Sequence, residues 1–178
     1  MLMNNPVLLE NLRCIPDFPK KGINFRDVTT LFKSAECMKT ILDEMYELYK
    51  DKGITKIVGI ESRGFVMAAA LAAKLGTGVV LARKPGKLPS TVIKESFSKE
   101  YGVDTIEMHL DSIQKDDVVL IHDDLLATGG TALATYKLVK YFKPKEIYMN
   151  FIIEIRDEGL HGRDLFKGLV DVTTIMTT

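Results

Sequence analysis

Hydrophobic residues recur with two different periods along the chain, and these periods divide it into predicted helices and strands. Over residues 34–52 the apolar positions return every three or four residues, with Ser34 as the N-cap and Gly53 as the stop, which predicts one amphipathic helix. The Asn5-Pro6 pair predicts a short helix before it. Beyond Gly53, short apolar runs alternate with helical stretches. We predict strands over 56–60, 79–82, 118–121 and 146–155 and helices over 64–75 and 131–142.

This alternation of strands and helices is typical of an α/β fold. It implies a single domain, residues 1–178, built on a mostly parallel, twisted sheet with helices on both faces. Two segments break the pattern. Residues 15–30 are rich in Pro, Gly and charge and predict a loop, while residues 84–105 predict a mobile excursion from the sheet, such as a hairpin. A long irregular connection inside a compact domain often acts as a lid over a site.

Composition narrows the class of protein. Of the 178 residues, 46% are hydrophobic and 27% are charged, as in a globular domain. The 24 basic and 24 acidic residues balance, which argues against a large cationic face for nucleic acid or membrane and leaves small molecules or protein as partners. No apolar run approaches the ~20 residues of a membrane span, and no signal-peptide pattern is present, so we expect a cytoplasmic protein. Cys14 and Cys37 lack zinc-site spacing and are expected to be free thiols.

The stretch VVLIHDDLLATGGTA, residues 118–132, carries the clearest candidate chemistry. Two adjacent carboxylates, Asp123 and Asp124, precede a turn of small residues that opens a predicted helix, where backbone N–H groups can hold a phosphate. Neither a Walker Lys nor a G-x-G-x-x-G pattern is present, so we do not expect a nucleoside triphosphate. Carboxylates beside a phosphate turn suggest a ribose 5-phosphate, whose hydroxyls they would bind. The alternative is a helix cap preceded by two incidental acids.

Two basic clusters follow other predicted strands, at residues 61–64 and 83–87. Each cluster alone is compatible with a solvated surface. Because parallel strands end at the same edge of a sheet, the clusters would together bring cations to a second, highly charged phosphate group. These cations are Arg63, Arg83, Lys84 and Lys87.

Five stretches, spread over almost the whole chain, match one known family in its order. They are IPDFPKKGINFRDVT, GIESRGFVMAAALA, RKPGKLP, SFSKEYG and VVLIHDDLLATGGTA. With these motifs the chain resembles the type I phosphoribosyltransferases. The resemblance implies transfer of the phosphoribosyl group of 5-phosphoribosyl 1-pyrophosphate to a purine base, adenine, with Mg²⁺ carried mainly by the pyrophosphate and with no protein metal ligand. It further implies a homodimer, a base-binding hood at about 15–30 and a cis peptide between Glu61 and Ser62.

The resemblance also assigns site residues. Those for the ribose and its 5-phosphate would be Asp123, Asp124, Ala127, Thr128, Gly129, Gly130 and Thr131. Those facing the pyrophosphate would be Ser62, Arg63, Arg83, Lys84 and Lys87. Those around the base would be Phe25 and Ile155, which stack on it, and Asn24 and Arg26, whose backbone reads its amino edge. In the lid, Tyr101 would pack on the ribose side and Glu100 would lie near the attacking base nitrogen, so that the implied catalytic residues are Glu100 and Arg63.

Several alternatives remain open at this stage. Asn24 and His122 stand where the family more often carries apolar residues, and Phe25 and Ile155 could simply be core. Glu100 could be an ordinary solvated residue. The same fold could also serve a transferase for a 6-oxopurine, or a regulator that senses the phosphoribosyl donor without catalysis; such a regulator would want an appended DNA-binding domain or a basic face, and neither is visible.

Overall fold

The computed structural model describes residues 5–18, 20–98, 102–156 and 159–178. The helices are α1 Pro6–Asn11, α2 Thr29–Phe32, α3 Ala35–Tyr49, α4 Gly64–Leu75 and α5 Gly130–Tyr141, with a 3-10 turn at Gly162–Phe166. The strands are β1 Arg13–Ile15, β2 Phe25–Asp27, β3 Lys56–Ile60, β4 Gly78–Ala82, β5 Val92–Ser98, β6 Val103–His109, β7 Val118–Leu126, β8 Glu146–Glu154 and β9 Val172–Thr177.

The central sheet confirms the predicted parallel architecture. Its strand order is β4-β3-β7-β8-β9, and every neighbouring pair is parallel. Side chains alternate between its two faces: Ile57 and Leu120 pack with α3 and α4, whereas Val58 and Ile121 pack with α5. The apolar layers on both faces leave the carboxyl edge of the strands as the place where polar residues collect.

Strand β7 is longer than predicted, because it continues to Leu126 rather than ending at Ile121. Asp123 and Asp124 therefore lie inside the strand. The apolar pattern stops at Ile121, but β8 keeps pairing with β7 as far as Leu126 and so extends it. Strand β3 pairs with β7 only as far as His122. The two carboxylates consequently occupy a segment of β7 that has lost its β3 neighbour.

The prediction of a plain loop over residues 15–30 is wrong in part. Strand β2 pairs antiparallel with β1, and α2 follows it. Asp27 stabilises this arrangement by accepting hydrogen bonds from Thr29 and Arg13, which lower the pKa of Asp27 to about 2. Strand β9 was also missed, since polar threonines interrupt its short apolar pattern. Both omissions concern short segments whose pairing depends on distant partners.

The irregular segment after β4 contains an antiparallel hairpin of β5 and β6, paired from Val92 with His109 to Ser98 with Val103. The hairpin packs on α5, where Lys137 Nζ lies 2.9 Å from Glu95 Oε1. That residues 84–105 act as a lid, and residues 15–30 as a hood, stays a prediction. Across the described ranges no helix is both long and apolar enough to cross a membrane.

Candidate active site

The turn after β7 forms a small polar cavity of about 130 Å³. Gly129 has a φ of +79°, a left-handed conformation that favours glycine, and it is the N-cap of α5. The first N–H groups of α5 have no carbonyl partner within the helix and are available to an anion. All five residues predicted for the 5-phosphate line this cavity together with Asp123: Ala127, Thr128, Gly129, Gly130 and Thr131.

Gly162, which the sequence did not indicate as a site residue, packs against the backbone of this turn. A Cβ at Gly162 would lie 2.2 Å from the backbone oxygen of Ala127 and 3.0 Å from the nitrogen of Gly129. Its neighbour Arg163 is held by Glu154, with Nε and Nη2 at 2.7 and 2.6 Å from the two carboxylate oxygens. Burial would raise the pKa of Glu154, but hydrogen bonds, first from Arg163, lower it. The end of β8 thus positions the phosphate turn through Arg163 and Gly162.

Replacing Gly162 with Ala should displace the phosphate turn, because the new methyl group would overlap backbone atoms that cannot rotate away. We expect a loss of about 1–3 kcal/mol in the free energy of unfolding and weaker binding of inorganic phosphate. Chemical denaturation and calorimetry measure the two effects. Gly78→Ala is the matched control, since its Cβ would meet only the flexible side chain of Lys56. Equal behaviour of the two variants would contradict the supporting role of Gly162.

The two carboxylates of β7 have different surroundings. Asp123 is partly exposed and lines the cavity, while Asp124 is only 4% exposed and pairs with Arg63, whose Nε lies 2.8 Å from Oδ2. The backbone N–H of Asp124 donates to Asp123 Oδ1 at 2.9 Å. Burial raises the pKa of both groups; the neighbouring Asp124 raises that of Asp123 further, and Arg63 opposes the shift at Asp124. The pair offers acceptors to a ligand hydroxyl beside the phosphate turn.

Each of three predicted cations faces a carboxylate. Beside the pair of Arg63 with Asp124, Arg83 Nε and Nη2 each lie 3.2 Å from an oxygen of Glu61, and Lys84 Nζ pairs with Asp104. The backbone N–H of Lys84 also donates to Glu61, at 2.8 Å. Burial would raise the pKa of Glu61, but these hydrogen bonds outweigh it and lower the pKa.

The turn after β3 and the loop after β4 are therefore joined at one edge of the sheet. Arg83 Nη1 donates to the backbone oxygen of Lys87 at 3.1 Å, and both Lys87 and Ser62 are exposed. The peptide bond between Glu61 and Ser62 is cis, as the family resemblance implied.

The residues predicted to bind the base lie on and next to β2 and at the end of β8. Phe25 is partly buried, with the Arg63 guanidinium 5.7 Å from its ring centroid. Arg26 Nη1 donates to the backbone oxygen of Asn24 at 2.7 Å, which fixes the conformation of that segment. Ile155 is 7% exposed, and its N–H donates to Leu126 at 3.0 Å. Phe25 is thus beside Arg63, and Ile155 is beside the end of β7.

Two other predicted residues, Glu100 and Tyr101, lie outside the described residues. Their assigned roles in the lid stay predictions.

His122 is a buried member of a polar chain that crosses the sheet behind the carboxylates. Its Nδ1 lies 3.0 Å from Asn150 Oδ1, and Asn150 Nδ2 donates to Thr173 Oγ1 at 2.9 Å. Thr173 Oγ1 in turn lies 2.6 Å from the hydroxyl of Tyr49 on α3. Burial lowers the pKa of His122 to about 4, so the ring is neutral at physiological pH. The structure identifies His122 as a packed, hydrogen-bonded histidine.

Comparison with known proteins places this site in a family. A family model described as a phosphoribosyl transferase domain matches residues 27–173, and the chain belongs to this phosphoribosyltransferase family. It is 60% identical over 175 residues to the adenine phosphoribosyltransferase of Phocaeicola vulgatus, covering 98% of this chain and 99% of that relative.

Solved structures of adenine phosphoribosyltransferases are also similar to this chain. The crystal structure of adenine phosphoribosyltransferase from Rhodothermus marinus is similar with a TM-score of 0.89 at 44% identity, over 97% of each chain. The enzyme from Giardia lamblia complexed with 9-deazaadenine is similar with a TM-score of 0.89 at 40% identity, over 96% of each chain.

Proposed function

We infer that this chain transfers the 5-phosphoribosyl group from 5-phosphoribosyl 1-pyrophosphate to adenine, giving AMP and pyrophosphate in purine salvage. The observation that carries the inference is the junction of Asp123 with the phosphate turn on one sheet edge, beside the paired cations. Adenine as the base follows from the relatives, which are adenine phosphoribosyltransferases at up to 60% identity. Chromatography of a mixture of adenine and the donor tests the activity. Folded protein that forms no AMP would contradict it.

The phosphoribosyl group would be bound by two parts of this junction, the phosphate turn and the two carboxylates of β7. The 5-phosphate would bind the N-terminal N–H groups of α5 and the hydroxyls of Thr128 and Thr131. The ribose hydroxyls would donate to Asp123 and Asp124. Binding both parts through one strand and one turn fixes the anomeric carbon relative to the sheet edge, which lowers the entropic part of the barrier.

Departure of pyrophosphate builds positive charge on the ribose and negative charge on the leaving group. Arg63, Arg83, Lys84 and Lys87 would stabilise the second of these charges, and the backbone at Ser62 would add a donor. The carboxylates next to the ribose would stabilise the first. Arg63 would connect these carboxylates with the cations around the pyrophosphate, because it is one of those cations and contacts Asp124. It also lies over the ring of Phe25.

The site also suits Mg²⁺ carried on the pyrophosphate. The Asp124 carboxylate is buried next to Asp123, with its Oδ2 atom paired with Arg63 at 2.8 Å, and two adjacent carboxylates suit the water shell of this ion. Asp123 and Asp124 would therefore reach the ion through the sugar or through water. When bound, the ion neutralises charge on the leaving group.

Adenine would lie between Phe25 and Ile155, with its amino edge read by the backbone of Asn24 and Arg26. The hydrogen bond from Arg26 to the oxygen of Asn24 preorganises this edge. Closure of the lid would exclude water, which would otherwise compete with adenine for the anomeric carbon.

Glu100, brought over the base by the lid, would accept or return the proton that adenine must lose or shift. Glu100→Gln should then lower kcat by about two orders of magnitude and leave adenine affinity within a few fold, since stacking does not depend on the carboxylate. Steady-state kinetics measure both parameters. A variant that turns over like the parent enzyme would exclude proton transfer by Glu100 and leave catalysis to positioning and electrostatics.

We also propose that the protein is a homodimer, on the strength of the family resemblance, and that it is cytoplasmic, as the sequence led us to expect. Light scattering at micromolar concentration should report twice the monomer mass. A monomer under those conditions would contradict the proposal.

A further inference from the structure

Lys84 has a counterion on the hairpin, unlike the other two paired cations. Arg83 and Arg63 pair with Glu61 and Asp124, which belong to the sheet edge itself. Lys84 instead pairs with Asp104 of β6. This pair therefore joins the loop after β4 to the hairpin of β5 and β6.

The two carboxylate oxygens of Asp104 have different partners. The Oδ1 atom of Asp104 accepts the backbone N–H of Thr105 at 2.9 Å, and Oδ2 pairs with the Lys84 ammonium. The Asp104 side chain is 18% exposed, whereas that of Lys84 is 42% exposed. The ammonium can therefore leave the carboxylate for a ligand at the edge without a change in the fold of the hairpin.

We propose that Asp104 is the counterion that pyrophosphate replaces on Lys84, so that this carboxylate limits the affinity for pyrophosphate and favours its release. The proposal rests on the proposed function, which puts the pyrophosphate of the donor at Lys84. Asp104 competes with the phosphate oxygens for one ammonium group.

The test is calorimetric titration of pyrophosphate with Mg²⁺ into the parent protein and Asp104→Asn, in the absence of adenine. Loss of a partly exposed ion pair is worth a modest factor, so pyrophosphate should bind about two- to fivefold more tightly to the variant. The same substitution in a Lys84→Met background should have no effect, because the ammonium group in dispute is gone.

Glu95→Gln is the matched control. It removes one negative charge from the same hairpin and breaks an ion pair of the same kind, but its partner Lys137 belongs to α5. Pyrophosphate affinity should be unchanged in this control. An equal gain in Glu95→Gln would show a general effect of hairpin charge and overturn the role of Asp104.

Unchanged or weaker binding of pyrophosphate by Asp104→Asn would also overturn the proposal. Asp104 would then have no effect on pyrophosphate binding, or would orient Lys84 toward the pyrophosphate. Thermal unfolding checks that each variant is folded, and Asp104→Ser serves if the amide variant is not. Formation of AMP by the parent protein is measured separately. Its absence would count against the proposed function, whereas the comparison of pyrophosphate affinities decides the role of Asp104.

Discussion

Replacing Asp123 and Asp124 together with Asn should weaken binding of 5-phosphoribosyl 1-pyrophosphate by about two to four orders of magnitude. Each carboxylate is proposed to accept a hydrogen bond from a ribose hydroxyl, and a hydrogen bond to a charged group is worth about 1.5–3 kcal/mol. Asn keeps the size of each side chain but carries no charge. Adenine affinity should change little, because the base is proposed to bind elsewhere, to the residues at 24–26 and to the end of β8.

Calorimetric titration of the donor and of adenine into the folded double variant measures both effects. Asp111→Asn with Asp116→Asn is a matched control, because it makes the same change in charge at two exposed acids. Unchanged donor affinity in the double variant, or an equal loss in the control, would contradict the assignment of the pair to the ribose.

Acidification should destabilise the protein through His122. The pKa of His122 is about 4 in the folded protein, against an ordinary value of 6.5, so the unfolded chain binds a proton first as the pH falls. Stability from the neutral ring is complete above pH 6.5 and is lost between pH 6.5 and pH 4. A difference of this size corresponds to about 3 kcal/mol in the free energy of unfolding.

Comparison with His122→Gln isolates this effect. Urea unfolding from pH 7 to pH 4 should show that the parent loses about 3 kcal/mol more than the variant over this range. The raised pKa values of Asp123 and Asp124 act in the opposite direction, since protonated carboxyls gain stability at low pH, but both proteins contain them. Parallel curves for the two proteins would show that the pKa of His122 does not differ between the folded and the unfolded chain, and would contradict the prediction.

The sequence predicted the central elements well where local pattern and tertiary contacts agree. Strand β3 and helix α4 have their predicted bounds, Lys56–Ile60 and Gly64–Leu75. An apolar run buried on both faces identifies β3, and left-handed Gly76 ends α4. The meeting of the cation loops at one sheet edge also followed from the alternation of strands and helices.

What the sequence could not show depends on long-range pairing. The extension of β7 through Asp123 and Asp124 requires β8, whose partner residues lie about 30 positions away. Gly162 reaches the phosphate turn because Arg163 binds Glu154, a contact without a periodic signal. The counterions Glu61 and Asp104 likewise become visible only when the loops are brought together.

The choice of base defines the proposed activity, and a sequence carries no side-chain code for it. The most direct test is a base-consumption assay with adenine, hypoxanthine, guanine and xanthine, each supplied with the same donor and Mg²⁺. We expect adenine to be consumed with formation of AMP and the three 6-oxopurines to be left. Consumption of a 6-oxopurine in preference to adenine would contradict it.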